Sequence, residues 1–475
     1  MAKEYITAYE TQSEYDAVKD TLPTPHVALV EETMDVYYKS YDYSDRYLAF
    51  VALENGTFKF SGNSINYSID GGETWVELAS NTDSPTVNEG DKIMWKASGL
   101  TISSSNGIGR FSSSGRFEVE GNVMSLLYGD EFDGEKNLGG KYYAFYKLFS
   151  GCTNVISAER MSLLATTLAE GCYCGMFYGC TSLTTEPELP ATMMAASAYT
   201  YMFYGCTSLT TAPSLPATTL ADYCYSYMFQ NCSNLTTAPE LLATTLAEGC
   251  YCGMFYGCTS LTTAPELSAT TLASYCYIDM FNSCGLTTAP SLPATTLAEG
   301  CYCGMFYGCT SLTTAPELPA TMMAASAYSY MFYGCSSLTV APSLPATTLA
   351  DYCYEYMFYG CSSLTVAPSL PATTLVSNCY RRMFQGCTSL TTAPELLAET
   401  LVTNCYYRMF YNCRSLNYIK MGSINAPNQN GWVYGVASSG TFVMNANAEW
   451  STSTTSCGQS TYPCSWTVET YTPSS

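Results

Sequence analysis

Between Arg160 and Arg381 the chain contains neither lysine nor arginine. In all 475 residues there are 18 basic side chains against 40 acidic ones, and a single histidine. The formal charge of −22 argues against nucleic acid and against anionic membrane surfaces, both of which call for basic patches. A stretch with no cation at all cannot neutralise phosphates. Charged residues make up only 12% of the chain, about half of the usual ~25% share. The 42 tyrosines take up much of the difference.

Other features are missing as well. The amino-terminal residues, MAKEYITAYETQSEYDAVKD, hold no apolar run after the lysine and no small-residue cleavage site, so no signal peptide is expected. No window of about 20 residues is continuously apolar, so no membrane-spanning helix is expected either. The expectation is a soluble chain made in a cytoplasm. His26, the only histidine, has no visible acid or nucleophile partner, and a His-rich metal site is excluded.

What the chain has is repetition. The phrase Phe-x-x-Cys occurs eleven times, from Phe149/Cys152 to Phe410/Cys413, at a period of 26 with one interval of 28 and one of 25. One period reads LPATTLAxxCYxxMFYGCTSLTTAPE. Repetition at a fixed period outranks other signals of fold, because each unit buries its apolar face only against its neighbours. Within a period, Ser-Leu-Thr-Thr-Ala followed by Pro predicts a short strand. Ala-x-x-Cys-Tyr-x-x-Met-Phe, with apolar residues three and four apart, predicts a short helix or 3₁₀ segment. Stacked periods would form a narrow parallel sheet, and at ~4.8 Å per strand eleven turns give a rod on the order of 50 Å long.

The expected class is α+β or β-rich: an amino-terminal β-sandwich-like domain, a leucine-rich-repeat-type solenoid of about 11 turns of about 26 residues, and a small β cap. The divisions are 1–45, a terminal attachment segment; 46–100, the β-sandwich-like domain; 101–148, a β segment and amino-terminal cap; 149–416, the solenoid; and 417–475, the carboxy-terminal cap. Residues 46–100 alternate apolar and polar positions between Gly and Asn turns. The segment Ser68-Ile69-Asp70-Gly71-Gly72-Glu73-Thr74-Trp75 resembles the Asp-box. That likeness implies a hairpin turn capped by Asp70, with Trp75 packed beneath it, as a structural part of the fold.

Met-Phe-x-Gly-Cys-x-Ser-Leu followed by a strand and Leu-Pro resembles the BspA-like leucine-rich repeats of bacterial surface proteins over 149–416. The resemblance implies adhesion or ligand binding and supplies no catalytic residues. Residues 11–41, TQSEYDAVKDTLPTPHVALVEETMDVYYKSY, are similar to amino-terminal segments of virion proteins of tailed gut phages, the crAss-like phages among them. This likeness implies a virion structural protein of fibre or capsid-decoration type, made in the host cytoplasm. It would be a homo-oligomer that contacts other virion proteins through its amino-terminal part and a host glycan or protein through the solenoid. A bacterial cell-surface adhesin is the alternative, and a glycan depolymerase a third class. No cofactor, nucleic acid or membrane insertion is expected.

Three rows of residues are candidates for chemistry. Most periods carry a Cys eight residues before the one in Phe-x-x-Cys, which leaves a thiol ladder, disulfide staples or metal as readings. The ladder, including Cys180, Cys206, Cys232, Cys258, Cys309 and Cys335, is favoured because Ala198 and Ala327 replace the first Cys in two periods. Cys457 and Cys464 are the expected disulfide. A tyrosine follows the first Cys, at Tyr173, Tyr225, Tyr251, Tyr277, Tyr302 and Tyr354 among others. Such a row can stack on sugars or on a partner protein, or can pack as a structural ladder. After Ala-Pro or Glu-Pro stand Glu188, Glu240, Glu266, Glu317 and Glu395, with Ser214, Ser291, Ser343 and Ser369. An acid pair at this edge could cleave a glycan, and solvated loop carboxylates are the simpler reading.

Overall fold

The computed structural model describes residues 46–103, 107–427, 429–450, 458 and 461–472, together with the backbone of three earlier strands. Those three, β1 (Tyr5–Tyr9), β2 (His26–Val30) and β3 (Asp35–Lys39), form one sheet in which β1 runs parallel and β3 antiparallel to β2. The remainder of the expected attachment segment, 1–45, lies outside the described residues, as does the side chain of His26.

Next come β4 (Leu48–Ala52), β5 (Phe58–Phe60), β6 (Ile65–Ser68), β7 (Val76–Leu78), β8 (Lys92–Lys96), β9 (Phe111–Ser113), β10 (Phe117–Asn122) and the one-turn helix α1 (Ser125–Tyr128). With β11 (Val155–Ser162) they give a six-stranded sheet in the order β11-β10-β4-β8-β6-β7 and a separate β5-β9 ribbon. The ribbon covers the sheet through rings: Phe50 and Trp95 on the sheet meet Phe58 and Phe111 on the ribbon at 4.8–6.3 Å between centroids. The expected division at residue 100 therefore cuts through one continuous sheet. Its last strand, β11, already belongs to the first repeats.

From Tyr143 onward the backbone follows one rule, and it is not helical. Every fourth residue of the segment expected to be a helix has left-handed φ: Gly171, Gly175 and Gly179 in one coil, Ser197, Tyr201 and Gly205 in the next, Tyr223, Tyr227 and Asn231 after that. A left-handed residue cannot continue a right-handed helix, so the segment is a chain of four-residue turns. Its N–H groups alternate in direction. Cys172, Cys174, Met176, Tyr178 and Cys180 each donate to the carbonyl three residues back at 2.9–3.2 Å, while Gly171, Tyr173, Gly175, Phe177 and Gly179 donate to the next coil at 2.6–3.1 Å. A four-residue turn repeats its inward side chains at spacing four, which imitates helical periodicity.

The expected parallel sheet is also corrected. Successive coils touch through isolated parallel bridges in two columns, for example Thr211 with Thr237 and Thr245 with Thr271. Pro213 and Pro239 stand two residues after Thr211 and Thr237 and lack the N–H that a longer ladder needs there. Threonine hydroxyls supply part of the missing bonding: Thr236 and Thr313 donate to the carbonyls of Thr210 and Thr287, each at 3.1 Å.

Inside the coils run two aromatic columns. Phe149 begins one that continues through Phe410, eleven rings at 5.2–5.9 Å with planes within 4–10°. Phe145 begins the other, which passes through Tyr173 to Tyr406 at 5.6–6.1 Å. Such spacing with near-parallel planes is offset stacking. At the amino-terminal end Phe149 stacks on Phe111 of the ribbon at 5.8 Å, so the column joins the core of the β region. At the other end the indole of Trp432 closes both columns, 6.4 Å from Tyr406 and 6.2 Å from Phe410.

The carboxy-terminal segment continues the stack. Strands β12 (Tyr418–Met421), β13 (Thr441–Asn445) and β14 (Thr467–Tyr471) are parallel, with Tyr418 opposite Thr441 and Thr441 opposite Thr467. Cys464 is disulfide-bonded; its expected partner, Cys457, lies outside the described residues. Among the described residues no helix is long and apolar enough to cross a membrane.

Candidate ligand-binding face

The tyrosines that follow the first Cys of each period point inward. Tyr173, Tyr225, Tyr251, Tyr277, Tyr302 and Tyr354 are at most 2% exposed, so no sugar reaches their faces in the folded chain, and their expected ligand-binding role is corrected. The cause is positional. Each occupies the inward site of a turn and meets the equivalent ring of the coils above and below. Burial holds their phenols well above the ordinary range, and the hydroxyls of Tyr173 and Tyr199 have no hydrogen-bond partner among the described residues.

The cysteines are equally internal. In ten coils the thiol of the Phe-x-x-Cys cysteine donates to the carbonyl of the Phe one coil back, at 2.9–3.2 Å. A small side chain with a weak donor fits there because the Phe carbonyl faces a dry interior. Twenty-two cysteines are free. Burial pushes Cys180, Cys206, Cys258 and Cys335 well above the usual thiol range and Cys232 and Cys309 up to about 12, which leaves them unreactive. The disulfide staples weighed for these coils are absent among the described residues. No group of three or more metal-ligating side chains gathers there either.

The outward aromatic rows are different residues, which the reading of the sequence passed over. One row follows the Phe: Tyr178 stacks on Tyr204, and Tyr307, Tyr333 and Tyr359 stack in succession, all at 4.4 Å with planes within 2–3°. A second row occupies a left-handed position: Tyr201 on Tyr227 at 5.1 Å and Tyr330 on Tyr356 at 4.6 Å. All are half-buried. Their faces cover one another, so the row offers ring edges and hydroxyls at a regular step. The signal was available, because Met-Phe-Tyr-Gly-Cys repeats as plainly as Cys-Tyr.

A third set of tyrosines explains why GCYCGMF recurs nearly unchanged. Tyr143, Tyr223 and Tyr275 lie over Gly171, Gly249 and Gly300 of the following coil, and each donates its hydroxyl to the glutamate before that glycine, Glu170, Glu248 or Glu299, at 2.6–2.9 Å. A Cβ at Gly249 would stand 2.4 Å from the Tyr223 ring. The glycine coil is the lid seat for the tyrosine coil before it.

The edge carboxylates Glu188, Glu240, Glu266, Glu317 and Glu395 are exposed, as are Ser214, Ser291, Ser343 and Ser369. Glu186 is the exception. Burial, aided by the charge of Glu159, raises its carboxyl to about 7. It lines an open groove of ≈380 Å³ with Pro187, Glu188 and Pro213.

In the β region the turn at Asp70 is a closed hydrogen-bond ring. Asp70 accepts from the Thr74 N–H at 3.0 Å, from the Thr74 hydroxyl, and from the Ser68 hydroxyl at 2.6 Å; Ser68 accepts from the Gly72 N–H at 2.9 Å. These donors, Ser68 foremost, hold the Asp70 carboxyl far below its usual range. Trp75 packs edge-on against Tyr47 at 4.8 Å, with the Lys96 ammonium 4.2 Å from its ring.

Comparison with known proteins agrees with this construction. The family model of the BspA type leucine rich repeat region matches in 6 copies, over residues 147–286, 243–365 and 302–430. No curated protein and no solved structure matches the chain. With more than half of its 475 residues under the matching model, and with the Phe, Cys and Leu of each copy forming the stacked interior, the chain belongs to the BspA-type leucine-rich-repeat family.

Proposed function

We propose that this chain is a non-enzymatic adhesion protein, whose stacked coils form a solenoid that displays like groups toward a host surface or glycan. One observation carries the reading: the outward position after the Phe is tyrosine in seven of the eleven coils, and where tyrosines follow one another, as Tyr307, Tyr333 and Tyr359 do, their rings stack at 4.4 Å. A row of equal groups suits weak contacts summed over many copies. Catalysis calls for unlike groups converging on one point. The family is consistent with a surface role.

The setting we favour is a tailed-phage virion, with the protein as a homo-oligomeric fibre or decoration that docks on other virion proteins through residues 1–45. Support comes from residues 11–41, of which only the β2 and β3 backbones are described. A bacterial cell surface accommodates the repeats equally well, and the virion is distinguished by finding the chain among the proteins of purified particles. Glu186 gives the depolymerase reading its one foothold, a raised carboxyl beside a groove.

The test incubates purified protein with cell envelopes and with isolated surface polysaccharides, and follows both retention and release of reducing ends. Retention without release is expected. Release that disappears in Glu186→Gln would replace adhesion by hydrolysis, and no retention on any surface would remove the adhesion reading.

A further inference from the structure

The cation-free stretch of the chain ends abruptly in a cluster. Arg381, Arg382 and Arg408 surround the ring of Tyr407, their guanidinium carbons 5.4, 5.5 and 5.3 Å from its centroid. Tyr356 lies 5.7 Å from Arg381 and 5.2 Å from Arg382, and Tyr411 lies 5.2 Å from Arg408. Among the described residues one carboxylate forms an ion pair with a member of the cluster. Glu355 forms an ion pair with Arg381 and feels the charge of Arg382.

Arg382 and Arg408 make no ion pair among the described residues, and the Nε of each is buried without a hydrogen-bond partner. An unpartnered guanidinium N–H away from water is costly. In a chain of charge −22 with 40 carboxylates, leaving two adjacent arginines unpaired also forgoes an easy stabilisation. Both have left-handed φ, 55° and 50°, at the position that Tyr330 and Tyr356 occupy in earlier coils. The backbone there accepts tyrosine. Arginine extends the π-stacked row and adds charge to it.

From this geometry we infer an anion-binding subsite at the carboxy-terminal end of the stack, formed by Arg382 and Arg408 with Tyr356, Tyr407 and Tyr411, that takes an acidic sugar of a surface glycan. The inference rests on the adhesion reading and names its ligand class. Guanidinium forks match carboxylate or sulfate oxygens two at a time. The tyrosines beside them offer ring edges for the C–H groups and hydroxyls for the oxygens of a pyranose. The coils between Arg160 and Arg381 hold no cation and repel polyanions, so within the stack an acidic glycan would engage this end rather than its middle.

The experiment measures binding of the full chain, by calorimetry at low salt, to four probes: a carboxylated oligosaccharide from polygalacturonate, a sulfated one from heparin, a neutral one from dextran, and a single-stranded oligonucleotide. Binding to one or both acidic saccharides and not to dextran is expected, and the preferred one identifies carboxylate or sulfate as the group held. The R382Y/R408Y variant restores the residue of the row and keeps the stack. It should retain its melting temperature while losing about 10-fold or more in affinity, and the single R408Q variant should show the same direction should the double variant melt early. Equal affinity in the variants, absence of saccharide binding, or a preference for the oligonucleotide overturns the assignment. Cell-envelope retention separates the two readings. If wild type and R382Y/R408Y adhere equally, this subsite falls and adhesion stands; if wild type binds the acidic saccharide but no envelope, adhesion falls and the subsite stands.

Discussion

The β region before residue 149 and the stack after it are held together in opposite ways. In the β region the contacts join residues with no repeat relation to one another: Lys96 with Asp130, Arg116 with Glu54, Lys92 and Arg160 with Glu120, Phe50 with Phe58, Trp95, Phe111 and Phe117. In the stack almost every contact is between a residue and its own equivalent one coil away. Between Arg160 and Arg381 no ion pair is even available from basic side chains. Unlike pairs fix register because each fits one partner. Like pairs alone would let the chain slip by whole coils, and the stack is pinned at its ends, on Phe111 and under Trp432, and where a tyrosine coil meets a glycine coil, as Tyr223 does Gly249.

The sharpest way to break this comparison is by removal. Phe255→Ala takes a ring with no exposed surface from between Phe229 and Phe281 and should cost about 3–5 kcal/mol, read from denaturant unfolding. Deleting residues 207–232, one whole period, brings equivalent faces together and should cost less than the single substitution. If the deletion unfolds the chain as badly as Phe255→Ala, the coils are not interchangeable. A smaller loss is expected from Gly253→Ala. Its φ is 56° and a Cβ would stand 2.2 Å from the Tyr227 ring, so a cost of about 1–2 kcal/mol is expected for the left-handed conformation alone. In contrast Gly134→Ala in the β region, with open space around it, should lose only the conformational part.

pH should separate the regions by sign. Hydrogen bonds from Arg116 to Glu54 and from Lys96 to Asp130 hold those carboxyls below their usual range. Their folded pKa values are depressed, so their contribution is present above the ordinary carboxylate range and is lost as pH falls through the folded values. Glu186 works the other way. Burial raises it from 4.5 to about 7, the folded state holds the proton more tightly, and stability near Glu186 declines as pH rises from 4.5 to 7. Hydrogen exchange resolved by region at pH 3, 5 and 8 should show both trends, and Glu186→Gln should flatten the second. The smallest effect expected is none. With 22 free thiols buried or nearly so, reductant should leave the melting temperature of a Cys464→Ser variant, which lacks the disulfide of Cys464, unchanged, and thiol reagents should react mainly after unfolding. A reductant-dependent melt would restore the disulfide staples.

The period, the interior Phe and Cys rows and the Asp70 turn were legible in the sequence because each is a matter of recurrence or of a local hydrogen-bonding residue. The turn backbone was not legible. Gly175, Tyr201, Tyr227, Asp279 and Arg382 occupy the same left-handed position, and no propensity joins those residue types. What unites them is the alternating direction of the N–H groups, imposed by the neighbouring coil. The inward Tyr173 row and the outward Tyr178 row look alike as letters, since tyrosine suits either side. Only the column of equivalent rings decides which is buried. The Arg382 and Arg408 cluster was visible as charge, yet its isolation from carboxylates depends on where Glu355 points.

Alternate N–H groups aimed along the stack also set how the molecule responds to load. Pulled from its two ends, a stack bonded along its own axis loads its coils in series, so every coil carries the same force and the weakest gives way first. Each release frees about 26 residues, on the order of 90 Å of extended chain. A tether built this way lengthens in equal steps and dissipates work at each, and its grip on a surface outlasts a pull that would detach a stiff link in one event.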